Sequence, residues 1–180
     1  MIQQFEFKKG HHYPTNWFWV MLRVIVPFFN VSMFSIEFRF DKSCANELAD
    51  PYRRLQWNKL GGIAQYGFKH RNSVRIAWRA LDSDQIELGL YEYYKGIRHA
   101  KYLTTVNVDT DYTMLVDIED GSISITGASD DVKMSYHNTI WFDNRIQRKT
   151  CFSIGCRSYP YYGGITPAEV DCSLKMRLTT

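Results

Sequence analysis

Along much of the chain, apolar and polar residues alternate with a period of two. Phe34, Ile36, Phe38 and Phe40 are interleaved with Ser35, Glu37 and Arg39. Successive side chains of a strand point to opposite sides, so this pattern predicts a strand with one buried and one wet face. It returns in Val74-Ile76-Trp78, Ile86-Leu88-Leu90, Tyr112-Met114-Val116-Ile118 and Cys172-Leu174-Met176-Leu178. Shorter runs at Phe5-Phe7, Val106-Val108, Ile123-Ile125, Val132-Met134-Tyr136 and Phe152-Ile154 bring the expectation to roughly ten to twelve strands. Turn chemistry falls between them. Asp120-Gly121 and Lys95-Gly96 supply the positive-φ residues that tight hairpins need, and Asp82-Ser83-Asp84 supplies a polar turn. Only Ser43 to Leu55 has room for one or two helical turns, and Pro51 interrupts them.

Short antiparallel strands without a long amphipathic helix must cover their apolar faces with one another. The expected fold is therefore all-β, an antiparallel two-sheet jelly-roll or concanavalin-like sandwich. No internal repeat, low-complexity tract or linker divides the chain, and one domain over residues 1–180 is expected. The composition agrees: aromatic residues make up 16%, with 12 Tyr, 11 Phe and 5 Trp, and such side chains suit pleated, half-buried surfaces. A net charge of +3 is no electrostatic footprint for nucleic acid, so no such partner is expected.

Cys44, Cys151, Cys156 and Cys172 form neither a dense disulfide framework nor a zinc pattern, and buried thiols are expected. His11, His12, His70, His99 and His137 lack metal-ligand spacing, so neither a metal nor another cofactor is expected. The apolar run from Trp17 to Phe29 is broken by Arg23 and Pro27 and lacks a cleavage site. It is too short for a spanning helix, and neither membrane insertion nor secretion is expected from it.

Two arginines, Arg75 and Arg79, share one face of a strand whose other face carries Val74, Ile76 and Trp78. A guanidinium fork suits a carboxylate or a sugar. The plainer reading is a solvated face, or pairing with Glu87 across the Asp82-Ser83-Asp84 turn. Tyr91 and Tyr93 are opposite in parity to Leu88 and Leu90, so one set faces away from the core. Exposed rings stack on sugars or anchor interfaces; if both faces are covered, they are simply core. Arg75, Arg79, Tyr91 and Tyr93 are the candidate ligand-binding residues, and the apolar Trp17, Phe18 and Trp19 the candidate protein interface.

Enzymatic chemistry finds less support. Gln85-Ile86-Glu87 and Tyr91 to Gly96 resemble the Gln-Ile/Val-His and Tyr-x-Lys-x-Gly strands of alginate-lyase sandwiches. That chemistry abstracts a proton next to a carboxylate, using a His or Tyr beside an Arg that neutralises the acid. Glu87 stands where the His belongs and would repel a uronate, and Lys95-Gly96 falls at a turn. Asp117, Glu119 and Asp120 read as a polar face ending in a hairpin, not as the facing carboxylates of a glycosidase. Gly163-Gly164 reads as a turn or bulge. No catalytic residue is assigned, and the chain is expected not to be an enzyme.

Several longer stretches carry a family resemblance: Phe7 to Pro14 with Lys8-Lys9-Gly10, Trp57-Asn58-Lys59-Leu60 to Gly62, His70 to Arg79, Tyr91 to Arg98, and Pro160-Tyr161-Tyr162-Gly163-Gly164 to Ala168. These resemble a group of small proteins encoded by Bacteroidetes and their tailed phages, a group without an established activity. Pro167-Ala168 reverses the group's order at that point, and Trp17 to Val31 has little counterpart. The resemblance implies a jelly-roll sandwich in a phage setting and hands over no catalytic residues.

The leading expectation is a non-enzymatic structural or adhesion module of a tailed-phage virion: a head fibre, decoration or tail-associated protein. It would contact other virion proteins and copies of itself, with surface glycans as further partners, after synthesis in the host cytoplasm. The alternatives are a free lectin-like domain with Arg75, Tyr91 and Tyr93 in one groove, and a concanavalin-like polysaccharide lyase or hydrolase.

Overall fold

A computed structural model of the chain describes residues 2–19, 22, 27–46, 56–66, 70–118, 121–127, 131–134, 154–161, 168 and 171–180. Glu119, Asp120, Tyr136, His137, Cys151, Phe152, Tyr162, Gly163 and Gly164, on which some sequence expectations rest, lie outside the described residues. Twelve strands occur among those described. One sheet contains β1 (Gln3–Phe7), β3 (Met33–Phe40), β8 (Tyr112–Asp117), β9 (Ser122–Gly127), β10 (Asp131–Met134) and β12 (Cys172–Thr179), in the order β1-β12-β3-β8-β9-β10. The other contains β2 (Phe28–Phe29), β4 (Asn58–Gln65), β5 (Ser73–Ala80), β6 (Gln85–Tyr94), β7 (Ile97–Asn107) and β11 (Ile154–Ser158), in the order β2-β11-β4-β5-β6-β7. All pairings are antiparallel. The fold is the expected all-β jelly-roll sandwich.

The alternating strands place their apolar sets between the sheets. Phe34, Ile36, Phe38 and Phe40 of β3 are buried; Phe40 lies opposite Leu174 of β12, and Ile36 opposite Met114 of β8. From the second sheet come Val74, Ile76 and Trp78 of β5, and Ile86, Leu88 and Leu90 of β6. The Phe40 and Trp78 rings meet across the interface with centroids 5.1 Å apart. This burial of apolar surface from both layers is the main favourable term holding the sandwich together.

Two of the expected turns are seen whole. Lys95 and Gly96 join β6 to β7 with φ of 51° and 87°, the positive pair of a tight hairpin tip. Between β5 and β6 the Asp84 N–H donates to the Asp82 carboxylate at 2.9 Å. A short 3-10 turn covers Lys42–Asn46, overlapping the start of the Ser43 to Leu55 stretch expected to hold helical structure. The described cysteines Cys44, Cys156 and Cys172 are buried, and the Cys44 thiol donates to the Ser173 carbonyl at 3.0 Å. No helix among the described residues is long and apolar enough to cross a membrane.

Strand β4 is hidden in the sequence. Asn58 to Ala64 are buried throughout, so no in-and-out alternation marks them, and glycines occupy two positions. A bulge between Lys59 and Gly61 breaks its register with β5. Beyond it, Gly61 pairs with Ile76 and faces the core. Before it, Lys59 pairs with Ala77 and turns to the opposite face, away from the other sheet. An unbulged strand would have put Lys59 inward and Leu60 outward, because side-chain parity flips with every residue.

Candidate functional site

The face of the second sheet turned away from the core carries an unusual set of side chains. Antiparallel partners share a face, so Ser73, Arg75, Ala77 and Arg79 of β5 lie beside Tyr93, Tyr91, Gly89 and Glu87 of β6. On the other side, β4 contributes Gly62 opposite Arg75 and Lys59 opposite Ala77. Tyr161, following β11, joins them by reciprocal backbone hydrogen bonds with Lys59 at 2.9 and 3.0 Å. All four expected ligand residues therefore sit on one face. Lys59 and Tyr161 carry no such expectation from the sequence; the Gly61-Gly62 pair is the local signal of a bulge that re-aims Lys59.

The face is covered rather than solvated, and by polar and aromatic groups. Arg75 is only 2% exposed and Lys59 only 4%. The Arg75 guanidinium lies 5.2 Å from the Tyr91 ring centroid and 5.4 Å from that of Tyr93. The Lys59 ammonium lies 3.7 Å from the Tyr91 centroid and donates to the Trp57 carbonyl. Tyr91 is buried, whereas Tyr93 and Tyr161 are half-buried and Arg98 is exposed, so the cluster opens to solvent along their side.

The two arginines differ in state. Arg79 is bonded to Glu87 and lies over the Trp57 ring at 4.4 Å. Gly89 makes room for that ring, since a Cβ there would come within 2.8 Å of it. The pairing expected for both arginines thus holds for Arg79 alone. Arg75 has no carboxylate partner among the described residues, and its Nε and Nη2 are buried without a hydrogen bond. Gly62 lies across from it at φ +149, where a Cβ would be 2.3 Å from the Val74 carbonyl oxygen, so only glycine permits this approach of β4 to β5.

Electrostatics follow from that packing. Burial, then the charges of Arg75 and Arg98, push Lys59 down to about 7. Burial also lowers Arg75 from its ordinary value, opposed by Tyr91, Tyr93 and Tyr161. The phenols move the other way. Burial raises Tyr91, helped by Tyr93, with Arg98 opposing. Burial raises Tyr161, with Arg75 opposing. The result is a partly covered, cationic and phenol-lined cluster without a neutralising carboxylate among the described residues. Guanidinium donors and phenol rings are groups that can hold an anion bearing hydroxyls.

Next to it the N-terminal segment forms a cavity of about 670 Å³, lined among others by Lys8, His11, His12, Tyr13 and Trp17. Tyr13 links the two regions, its ring centroid 5.7 Å from that of Tyr161. Trp17, Phe18 and Trp19, the candidate interface, lie beyond and are exposed at 52%, 57% and 65%. No group of His, Cys, Asp and Glu among the described residues has a metal-holding arrangement.

No protein-family model and no curated protein sequence matches the chain. Solved structures do. Alginate lyase vAL-1 from Chlorella virus matches with a TM-score of 0.51 and 12% identity, over 99% of this chain and 84% of that one. A double-cysteine variant of alginate lyase A1-II' matches with 0.50 and 10%, over 99% and 78%. A further structure of A1-II', described as a member of polysaccharide lyase family 7, matches with 0.46 and 10%, and the chain spans only 64% of its length.

What this likeness shows of the chain is its fold. A fold shared end to end with lyases overturns the expectation of a chain without enzymatic chemistry. Of its two physical grounds, Lys95-Gly96 does fall at a turn, whereas the Glu87 charge does not stand free on the face. Glu87 is instead paired with Arg79, away from Arg75, which lies opposite Tyr91 on the same face.

Proposed function

We propose that this protein binds an acidic polysaccharide on the outer face of its second sheet and cleaves it by β-elimination. The observation that carries the reading is Arg75: a residue 2% exposed, with two guanidinium nitrogens unpartnered, beside two tyrosine rings. Leaving such a group unpaired costs stability, and a uronate carboxylate would supply the missing acceptor. Neutralising that carboxylate acidifies the neighbouring C–H, the hard step of elimination. The tyrosine rings suit sugar faces, and the named alginate lyases of like fold make polyuronates the first substrates to try. A polymer would continue past Tyr161 and Tyr13 towards the cavity at Trp17.

The test is incubation with alginate, polygalacturonate and hyaluronan, reading unsaturated ends by ultraviolet absorbance, with retention on each polymer measured in parallel. Unsaturated product that disappears in Arg75→Met is expected. Neither product nor retention with any of the three would refute the reading.

We further propose that the activity serves a tailed-phage particle. The family resemblance supports this setting, and the exposed Trp17, Phe18 and Trp19 side chains support a contact with another particle protein or a second copy. A solution mass equal to one chain, unchanged in Trp19→Ser, would count against self-association.

A further inference from the structure

Within the polyuronate reading, on which this step rests, one group remains unused: a buried lysine that no carboxylate among the described residues neutralises. We infer that Lys59 is the proton acceptor of the site, taking the proton from the carbon beside the carboxylate that Arg75 holds.

The geometry starts with the bulge. It exists at the one point of β4 where it turns Lys59 out of the core and onto the face shared with Arg75 and Tyr91. Bulges commonly re-aim a side chain in this way beside a working site. There the amine is fixed over the Tyr91 ring and by the Trp57 carbonyl. Among the described residues, the groups around it are cations and phenols. Arg75 on β5 and Arg98 on β7 are cationic, Tyr91 and Tyr93 on β6 and Tyr161 after β11 are phenols, and the Glu87 carboxylate on β6 is engaged by Arg79.

The ring face of Tyr91 favours a charged amine. Loss of water and two guanidinium neighbours outweigh it and bring Lys59 to about 7. Near neutral pH a large share of the molecules then carry a free amine. The tyrosines Tyr91 and Tyr161, raised above their ordinary value, stay protonated and suit the opposite role. An acid and a base whose environments push them apart is the arrangement that general acid–base catalysis needs.

The step balances without a co-reactant. Lys59 takes the C5 proton of the uronate, and the C5–H electron pair becomes the C4–C5 double bond. The C4–O bond breaks, and the departing oxygen receives the hydroxyl proton of Tyr91. The Lys59 ammonium then returns its proton to the Tyr91 phenolate and restores both groups.

The experiment compares wild type with Lys59→Arg and Lys59→Met on whichever polymer yields unsaturated ends. Binding is measured separately by retention, and Lys59 acylation by an amine-selective reagent is mapped against pH by mass spectrometry. Turnover should fall by about a hundredfold or more in both variants, the scale of a lost general base. Polymer retention by Lys59→Arg should stay within a few-fold of wild type, and wild-type turnover should rise through pH 7. The acylation rate of Lys59 should rise through the same pH, and bound oligouronate should suppress it.

Product formed by wild type and Lys59→Arg at similar rates, with one pH profile, overturns the assignment of Lys59 and leaves the polyuronate reading standing. An acylation profile rising only near the ordinary lysine value of about 10 overturns it equally. Wild type without product on any polymer overturns the reading of the site and this inference with it.

Discussion

The replacement Arg75→Met separates function from stability most directly. In the folded chain this guanidinium buries Nε and Nη2 without an acceptor, and an unsatisfied buried polar group costs about 1–3 kcal/mol. Against that stand the contacts with Tyr91 and Tyr93 at 5.2 and 5.4 Å, worth together about 1–2 kcal/mol when desolvated. Methionine keeps much of the stem's packing and removes both the charge and the stranded donors. The midpoints, about 2 against about 1.5 kcal/mol, leave the variant slightly favoured, by about 0.5 kcal/mol or roughly 1–2 °C in Tm for a chain of this length. Urea unfolding followed by tryptophan fluorescence measures this, with an unchanged slope confirming that the midpoint shift is a stability change. The same variant should lose polymer binding and turnover. A variant less stable than wild type by about 1 kcal/mol or more would refute the reasoning, because the guanidinium would then have a structural partner and no vacancy for an anion.

Three other variants test neighbouring parts of the site. Lys59 falls from 10.5 in the open chain to about 7 in the fold, so between those pH values the unfolded chain holds a proton that the folded chain lacks, and stability rises with pH. The cost of the buried charge is full below pH 7 and gone near 10.5; the stability advantage of Lys59→Met over wild type should therefore be largest at about pH 6 and shrink steadily towards about pH 10, and a pH-independent difference would contradict the assignment. Gly62→Ala places a methyl 2.3 Å from the Val74 carbonyl oxygen at a φ of +149; it should cost more than about 2 kcal/mol, and thermal melts showing less than half of that would argue against the close approach of β4 to β5. Glu87→Gln leaves Arg79 stacked on Trp57 without its anion. With side chains 25% and 17% exposed, the pair lies between surface and buried cases, so a loss of about 1–2 kcal/mol is expected. Polymer retention should stay within about threefold, and a much tighter grip in this variant would show that Glu87 does repel the substrate.

How much of this is legible in the sequence depends on what each residue faces. Strand β3 announces itself because one of its faces is apolar and the other wet, and the β5 pattern correctly divides Arg75 and Arg79 from Val74, Ile76 and Trp78. The Lys95-Gly96 tip is legible because few residue pairs accept positive φ. Strand β4 is not, because burial on both faces erases the alternation on which a period-two reading depends. Lys59 is lost with it, since an unpaired residue in a bulge reverses parity without changing composition.

The same logic explains why the chemistry is misjudged from the sequence. By its position in a three-residue motif, Glu87 is a charge that a uronate would meet. In the fold a charge acts through its neighbours, and register decides those. Across β5 and β6 the pairs Arg79↔Glu87 and Arg75↔Tyr91 are four residues apart on each strand, so the hairpin that closes at Asp82-Ser83-Asp84 gives one arginine a carboxylate and the other a ring. A shift of two residues that set Glu87 opposite Ala77 would keep every side chain on its face, yet it would remove Glu87 from Arg79 and bring it nearer Arg75. The free guanidinium is thus a property of the pairing, and no inventory of residue types along the chain contains it.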